Sequence, residues 1–226
     1  MLPHINMDFS IYSKQFNYCY LDIPHNLSII STNVGFYVYK ILPFTKIIEN
    51  KFNDIILIKN KQTSNIFYFL TKYDKNILNI WDQEQEKIIN KITYNNFINN
   101  IEISNNYICI FFDYYILIYD IQLNLKKKIS NINLLNIYFY NVVSEIFYFM
   151  DQEKNICSVI LNNSFKFVKL FNLSSSITKI TVNIENTLIA IVDNDGCLIK
   201  VYNIHGKILK QKFIRGCEKT SILNID

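Results

Sequence analysis

Along the chain, short runs rich in Ile, Val, Phe and Tyr alternate with clusters of Asn, Asp, Ser and Lys. This is the pattern of successive β-strands divided by turns. It predicts strands at Leu27 to Ser31, Phe36 to Ile41, Ile55 to Lys59, Ile66 to Thr71 and Ile77 to Trp81. Further strands are expected at Tyr107 to Phe112, Tyr115 to Ile121, Ile146 to Met150, Thr187 to Val192 and Leu198 to Ile204. No helical apolar period lasts beyond a turn or two, so the expected class is all-β. The pattern also predicts that Leu78, Ile80, Ile116, Ile118, Ile189, Ile191, Leu198 and Val201 lie in the core.

A longer period overlies the strands. An aromatic followed by a polar residue closes a strand at Tyr39-Lys40, Trp81-Asp82, Tyr119-Asp120 and Tyr202-Asn203, at spacings of 42, 38 and 83 residues. A repeat of roughly 40 to 45 residues is the length of one four-stranded WD-type propeller blade. The longest interval then holds two blades, one with a degenerate ending near Ser158-Val159. The expected architecture is a WD-type β-propeller in a single domain over 1–226, with about five four-stranded blades up to Phe213 and the first strand of a sixth at Ser221 to Asp226. Such a chain stops before a ring closes. It is expected to be incomplete, to close irregularly or to close with a partner, because an open propeller exposes its last interface and edge.

Half of the 226 residues are hydrophobic and only 19% are charged, enough apolar material for a sizeable core. The net charge of +4 is mild and scattered, which argues against a nucleic-acid partner. The N-terminal Met1 to Asp8 lacks the basic start and apolar run of a signal peptide, and Tyr107 to Tyr119 is short and broken by Asp113, so it reads as two strands. Cys19, Cys109, Cys157, Cys197 and Cys217 are odd in number and never in Cys-x-x-Cys spacing, the usage of free thiols in a reducing cytoplasm.

Candidate chemistry is sparse. His4, His25 and His205 lie far apart in sequence and sit in no nucleophile, acid–base or metal-ligand arrangement, and no Gly-rich phosphate loop is present. Asp82, Glu84, Glu86 and Asp151 fall in turn-like segments. Asp193-Asn194-Asp195-Gly196 lacks the later Glu of a calcium loop and reads as a hairpin turn. Lys126-Lys127-Lys128 reads as a solvated strand edge, with an anionic membrane as the alternative contact. The expectation is a protein that is not an enzyme and holds no cofactor or metal.

Several segments in order carry a family resemblance: Thr32-Asn33-Val34-Gly35-Phe36-Tyr37-Val38-Tyr39 with Pro43-Phe44, then Ile116-Leu117-Ile118-Tyr119-Asp120-Ile121. After them come Asn186-Thr187-Leu188-Ile189-Ala190, Gly196-Cys197-Leu198-Ile199-Lys200-Val201-Tyr202 and Phe213-Ile214-Arg215-Gly216. From about Phe16 to Asp226 the chain resembles the PROPPINs, the seven-bladed autophagy propellers that bind phosphoinositides. The most specific segment is the Phe-x-Arg-Gly one, which in that family reads Phe-Arg-Arg-Gly, with its two arginines turned into separate headgroup sites. Here Ile214 takes the first arginine's place, and Arg215 is the sole arginine of the chain. The family's His-x-Ser/Thr-Pro pattern falls on Leu173, Ser175 and Ser176, and its Gly-Thr-x-Ile-Arg on Gly196 to Lys200.

The resemblance implies phosphoinositide contacts by Arg215, Gly216, Lys200 and Ser175. It also implies membranes bearing phosphatidylinositol 3-phosphate or 3,5-bisphosphate and autophagy or trafficking proteins as partners, and a cytoplasmic place on the surface of vesicles or organelles. A WD-repeat protein-interaction scaffold without lipid binding remains the alternative.

Overall fold

The computed structural model describes residues 16–22, 26–60, 64–130, 132, 138–161, 165–173 and 177–216. Among them every regular element is a β-strand. Twenty strands form five antiparallel sheets of four, each a meander in sequence order. The chain divides into two compact units, residues 1–98 and 99–226.

The first unit holds two sheets. One runs β1 (Phe16–Asp22), β2 (Leu27–Thr32), β3 (Gly35–Lys40) and β4 (Thr45–Asn50); the other runs β5 (Ile55–Asn60), β6 (Ile66–Thr71), β7 (Ile77–Asp82) and β8 (Lys87–Thr93). Their facing residues make one core, in which Ile29, Phe36 and Val38 meet Ile55, Ile58, Phe67, Phe69 and Trp81. Aromatic geometry orders this core: Phe36 lies 5.3 Å from Phe67, and Phe52 meets Trp81 edge-on at 4.7 Å. The hydroxyl of Ser31 donates to the Ile55 carbonyl at 2.9 Å, tying the sheets across the same seam. Gly35 is required by space, since a Cβ there would collide with the Asn50 carbonyl oxygen.

The second unit holds three sheets. The first is β9 (Asn100–Ile103), β10 (Tyr107–Phe111), β11 (Tyr115–Asp120) and β12 (Leu125–Ser130); the second is β13 (Tyr138–Asn141), β14 (Ile146–Met150), β15 (Asn155–Ile160) and β16 (Lys166–Asn172). The third is β17 (Ile177–Val182), β18 (Leu188–Asp193), β19 (Leu198–Asn203) and β20 (Ile208–Ile214). Cys109, Phe111, Ile116 and Ile118 pack on Phe147, Phe149, Cys157 and Val159 between the first two sheets. Tyr148, Ile156 and Leu170 pack on Ile180, Ile189 and Ile191 between the second and third.

Polar clasps complement these cores. Glu145 accepts from the Ser104 hydroxyl at 2.8 Å, and Asn186 accepts from Asn141 and Tyr148, both at 3.1 Å. The hairpins are closed by Asx side chains that accept turn amides: Asp82 from Glu84 (2.8 Å), Asp120 from Asn124 (2.8 Å), Asn183 from Leu188 (2.8 Å) and Asn203 from Gly206 (2.7 Å). Asp193 to Gly196 forms the expected hairpin turn, with Gly196 at φ 69° and its amide donating to the Asp193 carbonyl.

The strand-closing aromatics all fall on the third strand of a sheet. In the fourth sheet that strand ends at Val159-Ile160, one residue beyond the expected Ser158-Val159. Six of the eight expected core residues are buried, but Leu198 and Val201 are half-buried, because β19 lies partly exposed along its whole length. The expected strand at Ser221 to Asp226 lies outside the described residues.

Candidate phosphate-binding site

The candidate site is built on the β19–β20 hairpin. Lys200 stands directly opposite Lys212, and Leu198 opposite Ile214. Residues opposed in an antiparallel pair share a face, and neighbours along a strand alternate. Lys200 is also opposite Ile191, a member of the core shared with β14 and β15. The face bearing Lys200, Lys212 and Ile214 is therefore the one turned toward the neighbouring sheet.

On that face Phe171 stacks on Tyr202 at 4.9 Å, and burial pushes the Tyr202 phenol up. Ile199 pairs with Phe213 and Val201 with Gln211 on the opposite face. Arg215 follows β20, where its amide donates to the Cys197 carbonyl at 2.8 Å and extends the ladder by one bond. That added step puts Arg215 in register with the Phe213 face. Its side chain is exposed.

Arg215 and Lys200 thus lie on opposite faces of one hairpin and do not converge. Gly216 is exposed, and a Cβ there would meet nothing within 4 Å, so no close approach demands glycine. Ser175 lies outside the described residues. Leu173, at the position of the family's histidine, is 8% exposed and belongs to the core between the second and third sheets of the unit.

Sequence reading missed Lys212. It becomes a partner of Lys200 only through the register of the hairpin, which includes a bulge between Val201 and Tyr202. The guanidinium offers a planar fork that grips phosphate oxygens bidentately, whereas the paired ammonium groups act as point charges. Among the described residues no group of His, Cys, Asp and Glu is placed to hold a metal ion.

Comparison with known proteins gives a fold and no sequence match: no protein-family model and no curated protein matches the chain. Among solved structures, Hsv2 of Kluyveromyces lactis superposes with a TM-score of 0.79 at 19% identity, over 93% of this chain and 67% of that one. The Hsv2 of Kluyveromyces marxianus gives 0.78 at 16% identity, over 91% and 67%. KlAtg21, solved in complex with the coiled coil of AgAtg16, gives 0.73 at 15% identity, over 91% and 72%. Hsv2 and Atg21 are PROPPIN β-propellers.

The chain shares the β-propeller fold of these structures. It spans about two thirds of the length of the Hsv2 chains, and its five sheets read as propeller blades. The candidate site lies on the last two strands of the fifth sheet.

Proposed function

We propose that this chain is a non-enzymatic, PROPPIN-like propeller that brings autophagy or trafficking proteins to phosphoinositide-bearing membranes, with Arg215 as its principal phosphate contact. The carrying observation is the place of Arg215 on that fold: an exposed guanidinium one residue beyond a strand, its backbone tied to Cys197. Lys200 and Lys212 support a weaker anion contact on the other face. Two like charges directly opposite repel each other, and an anion between them relieves that repulsion. A coiled-coil protein is a partner class consistent with the Atg21 complex.

The test is flotation of the full chain with neutral vesicles that carry phosphatidylinositol 3-phosphate. Arg215→Ala is expected to abolish co-flotation with an unchanged thermal melt. Unchanged flotation of the variant would remove Arg215 as the headgroup contact, and failure of the wild-type chain to float would transfer the assignment to the second reading, a protein-interaction scaffold without lipid binding. That reading draws on the core leucine at 173 and on Ile214, neither of which offers a polar group to a headgroup.

A further inference from the structure

The outer strands of residues 99–226 have a pattern that neither the fold nor the Arg215 site uses. β12 and β16 carry five lysines and no acidic residue; Lys126 pairs with Asp120 at 2.8 Å and Lys169 with Glu153 at 3.1 Å, acids of the neighbouring hairpin segments, and Lys127, Lys128 and Lys166 stand beside them. Lysine on an edge strand blocks pairing with other chains, which accounts for some of them. Edge protection does not account for the large apolar side chains left exposed among them, such as Leu125 at 55% and Phe167 at 54%.

Register places the features on adjacent walls. Lys127 is opposite Ile118 and shares a face with the Ile116–Ile129 pair, which packs toward the β13–β16 sheet. Phe167 is opposite Val159 and lies 6.0 Å from Phe149, both members of that same core. Lys127 and Phe167 therefore rise from the two sides of one seam where it reaches solvent. Lys128, over the Tyr115 ring at 4.5 Å, and Lys166, opposite Ile160, carry positive charge to the other face of each sheet, which for Lys166 is the face turned toward the β17–β20 sheet.

We propose that this rim is a second membrane contact, one that reads the negative surface charge of a bilayer instead of a particular headgroup. The lysines face anionic lipid, and Leu125 and Phe167 enter the interfacial region. A nucleic acid would match the lysines and could stack on Phe167 but would leave Leu125 without a role, so a lipid surface fits the set better. This contact lies on other strands than Arg215, needs no phosphoinositide and does not rest on the headgroup reading.

The experiment is flotation of the full chain with phosphatidylcholine vesicles, with and without phosphatidylserine and free of phosphoinositide. Binding is expected only with phosphatidylserine, and high salt should release it. Combined Lys127→Gln, Lys128→Gln and Lys166→Gln should weaken partitioning roughly a hundredfold, each lysine contributing about fivefold near such a surface. Phe167→Ser should lower it as well, while Arg215→Ala leaves it unchanged. All four substituted positions of the rim are exposed, and an unaltered circular-dichroism melt verifies their fold. The proposal is overturned if the wild-type chain ignores phosphatidylserine, if the triple variant partitions like wild type, or if Phe167→Ser has no effect. Tighter binding to polyuridine RNA than to the vesicles, unaltered by Phe167→Ser, overturns it in favour of a polyanion site.

Discussion

Arg215 and the two buried cysteines show how the same short sequence signals acquire different chemistry from their surroundings. Arg215 is exposed past the end of β20 and contributes no side chain to a core, so Arg215→Ala should cost binding and not stability. Arg215→Lys should restore only part of the flotation, since charge returns without the bidentate fork. Ile214 is 79% exposed on the face shared by Lys200 and Lys212, so Ile214→Arg should add a donor beside two existing cations. Vesicle affinity should then rise, because two headgroup contacts on one rigid body act through effective concentration.

Cys109 and Cys157 are held in the seam between two sheets, where burial pushes both thiols up, Cys157 to about 12. Little of the reactive thiolate exists there at neutral pH. Mass spectrometry after brief maleimide treatment of the folded chain should find both unmodified and the exposed Cys19 labelled.

At the scale of elements, the strands that the sequence reading left out are the fourth strand of every sheet and the first strand of all but one. The second strand of each sheet declared itself through residues such as Ile29, Phe67 and Ile189, whose faces pack against a neighbouring sheet. The fourth strands β4, β8, β12 and β20 are mostly exposed on both faces and carry no long apolar run that marks them in sequence. They are strands because the third strand of each sheet offers them a ladder, a long-range cause that local pattern cannot carry. The candidate site was legible to the same extent: Arg215 stood out as the single arginine, whereas Lys212 needed the register of a bulged hairpin.

Two outcomes belong at this scale. Gly35→Ala should lower unfolding stability by about 2 to 3 kcal/mol in denaturant titrations, since the new methyl forces β3 and β4 apart at Asn50. The β11–β12 hairpin depends on Asp120, whose carboxyl is held at about 2 by hydrogen bonds from Lys126 and Asn124. A depressed folded-state value contributes stability above the unfolded value near 3.9, and that contribution is lost as pH falls toward 2. Asp120→Asn should therefore narrow the gap between melting temperatures at neutral and strongly acidic pH.

For the whole molecule, an all-β chain with an exposed outer strand such as β20 has a template for pairing with other chains. Lys210 and Lys212 oppose that pairing by charge, and salt weakens the opposition. The 226-residue chain should self-associate in light scattering behind size exclusion, more so as ionic strength rises. A monodisperse monomer at every salt concentration would contradict this.

Each sheet is completed within one continuous stretch of about 31 to 39 residues, strand pairing always with its predecessor. A growing polypeptide can therefore finish one sheet before the next is synthesised, and no strand must wait for a distant partner within its own sheet. Ribosome-stalled nascent chains should gain protease resistance in steps, each arriving as another sheet clears the exit tunnel.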